Sequence, residues 1–175
     1  MMSSNNSIWM GRLTDSPLGD IWIAQSGDGL VAVDLWQDEA RMVAQVQKLT
    51  GITPVFEPDR LAPVNDKLSE YFAGERKTFD EPIDWSVMTP FQLEVLRVVN
   101  DIDYGQTRTY GEIAKELNKP NAIRAVGRAN ATNPMPIIIP CHRVLGSDGR
   151  LVGYGAPGGV ETKAWLLRLE GSRLI

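Results

Sequence analysis

Residues 109–132 read "TYGEIAKELNKPNAIRAVGRANAT", and how they fold decides what kind of protein surrounds them. Thr109-Tyr110-Gly111-Glu112 has the form of a capping box, in which threonine and glutamate satisfy each other's backbone donors. It opens a short helix expected to end near Leu117. The turn "NKPN" (118–121) follows, and "AIRAVGRANAT" (122–132) resumes helical spacing. Two short helices across a tight turn make either a helix-turn-helix or a plain helical hairpin in a core. The pattern alone leaves both open. The second helix is unusual for a core element, because Arg124 and Arg128 stand four apart on one face among Ala125, Gly127 and Ala129. An interior glycine costs a helix about 1 kcal/mol relative to alanine, which the close approach of another backbone offsets. That suits a helix lying against nucleic acid. Close helix–helix packing with solvated arginines is the alternative.

Upstream, Thr89-Pro90-Phe91-Gln92 joins a capping residue, a proline at the first helical position and a glutamine three residues on. The helix it starts should bury Phe91, Val95, Leu96 and Val99. Earlier still the periodicity changes to two. "DIWIAQS" and "LVAVDLW" flank Gly27-Asp28-Gly29 and predict a hairpin. Met42, Val43, Val46 and Leu49 recur at helical spacing before Gly51, as do Leu61, Val64, Leu68, Tyr71 and Phe72 before Gly74. The chain thus divides into a small α/β domain over 1–85, with residues 1–7 as a loose tail, and a mainly α-helical domain over 86–175. The stretch 79–88 is an irregular join.

Downstream of Asn133-Pro134, "MPIIIP" (135–140) should run extended and buried, leaving Cys141 at the end of a strand-like segment. Cys141 and His142 are the only cysteine and the only histidine, and they are neighbours. A single cysteine is most often a small core hydrophobe, but imidazole is the usual partner for raising a thiolate fraction. Adjacent residues of an extended chain point to opposite faces, so contact between the two requires a turn or a bridging water.

The totals limit the possibilities. At 175 residues, 43% hydrophobic and 23% charged, the chain is an ordinary globular protein with one core or two small ones. No apolar run approaches membrane-spanning length, and the polar start lacks the form of a signal peptide. A lone cysteine makes no internal disulfide and points to a reducing, cytoplasmic setting. One cysteine and one histidine do not make a structural zinc site. The net charge of −4 conceals an asymmetry. Residues 1–88 carry 7 Lys and Arg against 14 Asp and Glu, a balance of −7, whereas residues 89–175 carry 11 against 8, a balance of +3. Local charge governs contact with phosphates.

"PCHRV" (140–144), preceded by "RAVGRANATNPMPIII" and "TYGEIA" and followed by "GY…GGVETKAWLLRLEG", closely resembles the O6-alkylguanine-DNA alkyltransferases. The resemblance covers about residues 89–175, with the first half as the family's variable N-terminal domain. It implies direct-reversal repair of double-stranded DNA: the alkyl group of O6-alkylguanine, and less readily of O4-alkylthymine, passes irreversibly to Cys141 after the nucleotide is flipped from the stack. By the same resemblance His142 deprotonates Cys141 through a water and Glu170 orients His142. Tyr110 donates to the departing base and Asn133 braces the loop before the cysteine. Arg124 fills the vacated space in the duplex, Arg128 contacts phosphate, and the small residues Ala125, Gly127 and Ala129 permit close approach. Pro136, Val144, Tyr154 and Gly155 match the walls of the base pocket. No cofactor, metal, membrane or obligate protein partner is implied. The segment "GYGAPGGV" (153–160) is longer than the Gly-Tyr-small-Gly-Gly form expected in the loop that closes the pocket. Two other classes compete: a cysteine hydrolase or acyltransferase, which requires turnover and an oxyanion pocket, and a lesion-binding module without chemistry.

Overall fold

In the computed structural model, residues 7–172 are described, and the chain divides into two compact units, Met1–Met88 and Thr89–Ile175. The expected tail over residues 1–7 lies outside the described residues but for Ser7.

The first unit is built on a four-stranded sheet. Strands β1 (Trp9–Ser16), β2 (Gly19–Gln25) and β3 (Leu30–Asp34) are followed by helix α1 (Glu39–Thr50), the short strand β4 (Val55–Phe56) and helix α2 (Pro58–Phe72). The strand order is β3-β2-β1-β4, antiparallel except for β4 beside β1. The expected hairpin is β2–β3, and its turn is closed by Ser26, whose N–H donates to the Gly29 carbonyl at 2.8 Å. β1 escaped the alternation reading, because Gly11, Arg12 and Asp15 interrupt its apolar pattern. Met10, Trp22, Ala24 and Ala32 share one face with Met42 and Val46 of α1. Gly11 pairs across from Ile23 on the other face. There α2 comes so close that a Cβ at position 11 would stand 2.9 Å from Leu61 Cβ. The join is less irregular than expected: Ile83 bridges Leu30 at the sheet edge, and Trp85–Val87 form a 3₁₀ turn capped by Asp84.

The second unit contains helices α3 (Pro90–Asn100), α4 (Tyr110–Glu116), α5 (Ile123–Ala131) and α6 (Val160–Leu169), with the two-residue strands β5 (Arg108–Thr109) and β6 (Val144–Leu145). α3 buries Val95, Leu96 and Val99, while Phe91 is only half-buried. Thr89 caps its backbone, but Gln92 does not complete the box. The Gln92 side chain donates instead to the Thr132 carbonyl at 2.9 Å, tying α3 to the end of α5. The capping box of α4 is complete: Thr109 accepts from the Glu112 N–H, and Glu112 accepts from the Thr109 N–H at 2.6 Å. Asn118, in the left-handed region at φ 57°, turns the chain toward α5. Among the described residues no helix is long and apolar enough to cross a membrane.

"MPIIIP" is not the extended strand expected. Ile137 sits at φ 75°, and the Ile139 N–H donates back to the Met135 carbonyl at 2.9 Å, closing a buried turn. Prolines 134, 136 and 140 remove donors a strand would need, and an apolar run does not by itself separate a buried strand from a buried turn.

Replacing Gly in a strand interior by Ala ordinarily stabilises. For Gly11→Ala the opposite sign is expected, a loss of about 1–3 kcal/mol from overpacking against Leu61 and Pro58, read as a lowered urea midpoint. An unchanged or raised midpoint would contradict the packing described.

Candidate active site

The two-residue ladder between β5 and β6 determines where the site forms. Arg108 pairs with Val144 and Thr109 with Leu145, in parallel. Tyr110 directly follows β5, and Cys141–Arg143, a 3₁₀ turn, directly precede β6. The ladder therefore brings the start of α4 beside the only thiol, 31 residues along the chain.

Asparagines hold that turn in place. Asn133 accepts from the Met135 N–H at 3.0 Å and donates to the Ile139 carbonyl at 2.9 Å, serving backbone groups that no strand pairs. Asn130, buried on α5, donates to the Cys141 carbonyl at 3.2 Å. Burial pushes the Cys141 thiol above its usual pKa, against the Asn133 hydrogen bond and the Lys163 charge that favour its ionised form. At rest it is a neutral thiol.

Behind the thiol lies a buried ionic cluster. His142 Nε2 and Glu170 Oε1 are 2.8 Å apart. The Arg143 guanidinium grips both oxygens of Glu170, each at 2.8 Å, and donates to the Ile102 carbonyl at 2.5 Å. Burial alone would raise the Glu170 carboxyl, but the hydrogen bonds from His142 and Arg143 reverse this and hold it far below the usual carboxylate range. Burial lowers the His142 pKa more than Glu170 raises it, so the imidazole is neutral. Its Nδ1 is buried without a hydrogen-bond partner among the described residues. That nitrogen is an available proton acceptor.

In front of the thiol is a cavity of about 540 Å³. Cys141, Tyr110, Asn133, Pro136, Tyr154 and Gly155 line it, as do Arg124 and Gly127 from α5. A Cβ at Gly127 would stand 4.0 Å from the Tyr110 ring, so its absence leaves that space to the cavity. Burial raises the Tyr110 hydroxyl's pKa, opposed by Asn130 and reinforced by Cys141, and it remains a proton donor at neutral pH. Arg124, Ala125 and Arg128 are exposed, and neither arginine makes an ion pair among the described residues.

Two expected residues lie elsewhere. Val144 is fully buried in β6, paired with Arg108, and does not line the cavity. Ala129 is not on the surface that carries the arginines. It is buried with Val126 and Asn130 on the inner face of α5, 100° round the helix from Arg128. Arg143 and Asn130 went unassigned in the sequence, where nothing distinguishes them from a surface arginine and a helix-end asparagine.

Breaking a buried pair strands a charge, so Arg143→Met is expected to lower stability by about 3–5 kcal/mol, measured by urea unfolding at pH 7. Glu170 ionises in the folded state well below its unfolded value of about 4.3. Its contribution is present above that value and is lost as pH falls toward the depressed folded-state pKa. Between pH 7 and pH 3 the urea midpoint should therefore fall less for Glu170→Gln than for the native chain.

Comparison with known proteins agrees across most of the chain. The family model described as "6-O-methylguanine DNA methyltransferase, DNA binding domain" matches residues 90–172, and its "ribonuclease-like domain" matches residues 11–85. The methylated-DNA–protein-cysteine methyltransferase of Mycobacterium bovis is 43% identical over 93% of this chain and 92% of its own. The constitutive one of Bacillus subtilis is 40% identical over 89% of this chain and 92% of its own. Among solved structures, Mycobacterium tuberculosis OGT in complex with DNA is 38% identical, with a TM-score of 0.78 over 93% of this chain and 92% of that one. This chain, from the β-sheet of its first unit to the Glu170 cluster of its second, belongs to the methylated-DNA–protein-cysteine methyltransferase family.

Proposed function

We propose that the protein repairs DNA by moving the alkyl group of O6-alkylguanine, and less readily of O4-alkylthymine, onto Cys141, once per molecule. One observation carries the reading: the only thiol opens into a cavity rimmed by an exposed arginine helix, with a neutral, carboxylate-held histidine buried behind it.

In the proposed reaction the thiol proton passes through a water to His142 Nδ1, the imidazole nitrogen that Glu170 leaves available. Glu170, itself clamped by Arg143, holds the ring and stabilises the imidazolium. The thiolate attacks the alkyl carbon. The S–C bond forms as the C–O6 bond breaks, and its electron pair goes to the guanine. Tyr110 donates a hydrogen bond and then a proton to the leaving base. The proton taken by His142 restores Tyr110, so thiol and alkylguanine become thioether and guanine without a cofactor. With one cysteine in the chain, no second thiol removes the alkyl group, and the protein is consumed. A single cysteine, which makes no internal disulfide, fits an intracellular setting with access to DNA.

A base stacked and paired in a duplex is out of reach of a buried thiol that lines a cavity, so in our reading the target base leaves the duplex. In our reading α4 and α5 form a helix-turn-helix that meets double-stranded DNA. Arg124, at the cavity rim, takes the place of the flipped nucleotide, and Arg128 contacts phosphate. Ala125 and Gly127 keep that face thin, and Asn133 braces the turn before Cys141. Pro136, Tyr154 and Gly155 enclose the base.

The decisive experiment is intact-protein and peptide mass spectrometry after incubation with duplex DNA bearing one O6-methylguanine, with Cys141→Ala as control. One methyl per chain, confined to Cys141 and never exceeded, is expected. Tight binding with no mass change would point instead to lesion recognition without transfer, and repeated turnover would point to a hydrolase or acyltransferase. Arg124→Ala is expected to slow transfer from duplex by roughly tenfold or more while changing transfer from the free nucleoside by less than about threefold, because only the duplex requires flipping.

A further inference from the structure

Asn130, on the inner face of α5, is buried, and the reaction above makes no use of it. Burying an amide is unfavourable unless its donors are met, and this one has two N–H donors. One donates to the Cys141 carbonyl at 3.2 Å. That contact decides which way the amide points, because turning it over would set Oδ1 against another acceptor. The second N–H is directed at the Tyr110 hydroxyl. Oδ1 is buried with no partner among the described residues, so the donors alone hold the side chain in place.

Helix phase brings the two residues together. Asn130 lies three residues beyond Gly127 on α5, and a Cβ at Gly127 would stand 4.0 Å from the Tyr110 ring. Tyr110, Asn130 and Cys141 all line the one cavity. A hydroxyl has one proton to give and two lone pairs. With an amide N–H on one lone pair, the Tyr110 proton turns away from α5 and into the cavity. Once that proton has left, the same N–H answers the phenolate charge. The ammonium nearest Tyr110 is engaged elsewhere: Lys163 of α6 stands 6.0 Å from the ring and donates to the carbonyls of Val144, Val152 and Gly153.

We infer that Asn130 is a positioning residue for the proton donor: its amide links the Cys141 carbonyl to the Tyr110 hydroxyl, aims the phenolic proton at the leaving base and holds donor and thiol in register. This rests on the alkyl-acceptor reading of Cys141. An asparagine that only braced the Cys141 turn would act whether or not residue 110 carries a hydroxyl.

The test is a double-mutant cycle on the full chain. Asn130→Leu keeps the size of the side chain and removes both donors, and Asn130→Ala removes them without crowding the helix. Transfer from a duplex bearing one O6-methylguanine is timed in each variant, alone and combined with Tyr110→Phe. Either Asn130 variant is expected to slow transfer about tenfold or more when Tyr110 is present, and by less than about threefold in the Tyr110→Phe chain. Equal slowing in both backgrounds would reduce Asn130 to a brace for the turn and overturn the inference.

A second measurement needs no transfer. The chain is labelled with 3-fluorotyrosine, whose phenol ionises at lower pH than tyrosine, and titrated by fluorine NMR. Tyr110→Phe assigns the resonance, and Cys141→Ser throughout removes the thiol that titrates beside it. Lys163 and the cavity-lining Arg124 also face Tyr110, and they are common to the chains compared. The Asn130 hydrogen bond favours the ionised phenol, so Asn130→Leu and Asn130→Ala should both move the Tyr110 ionisation to higher pH. An ionisation that stays in place or moves down in both variants would overturn the link. Absence of transfer in the native chain would instead defeat the alkyl-acceptor reading, and the titration would still judge whether Asn130 holds Tyr110.

Discussion

The carboxylate of Glu170, buried at the end of α6, sits 2.8 Å from His142 Nε2 and is gripped on both oxygens by Arg143. Three chain segments meet there: the end of α6, the turn that carries Cys141, and the loop after α3, through Arg143 and the Ile102 carbonyl. A buried carboxylate is stable only when its lone pairs are answered. The arrangement answers them so fully that Glu170 stays ionised. That fixed negative charge gives the imidazole its orientation and leaves Nδ1 as its proton acceptor. The geometry of the thiol's neighbourhood follows from this cluster.

The thiol itself is kept neutral by burial, and the groups around it lower the cost of ionising it when a substrate arrives. Asn133 and the Lys163 charge both favour the thiolate without overcoming burial. A permanently ionised cysteine would react with any electrophile that reached it. In the proposed reaction a neutral one, backed by a neutral histidine, reacts when an alkyl carbon is held in line and the proton can move. In the proposed transfer, this restraint keeps the one thiol of the chain for its substrate.

Rigid placement is obtained with little regular structure. A two-residue parallel ladder aligns Tyr110 with Cys141, and side-chain amides replace strand pairing along residues 133–141. Ile137 is held at φ 75°, a conformation that β-branched residues adopt only when their surroundings enforce it. The prolines on either side and the Asn133 bracket supply that enforcement.

Local chemistry made much of this legible in one dimension. The capping box at Thr109–Glu112, the helical spacing of α1 to α5, the β2–β3 hairpin and the adjacency of Cys141 and His142 follow from nearest-neighbour sterics, hydrogen bonding and period. Resemblance added Glu170 and Tyr110, which no local signal marks. Tertiary structure decided the rest. "MPIIIP" is a turn because prolines and an asparagine outweigh its apolar run. Ala129 is buried because of helix phase, and Val144 is drawn away from the cavity by its place in the β5–β6 ladder. Arg143 and Lys163 carry no assignment along the chain. Both are buried because carbonyls and a carboxylate distant in sequence converge on them, and the energy of a buried charge depends on partners that only the fold brings within reach.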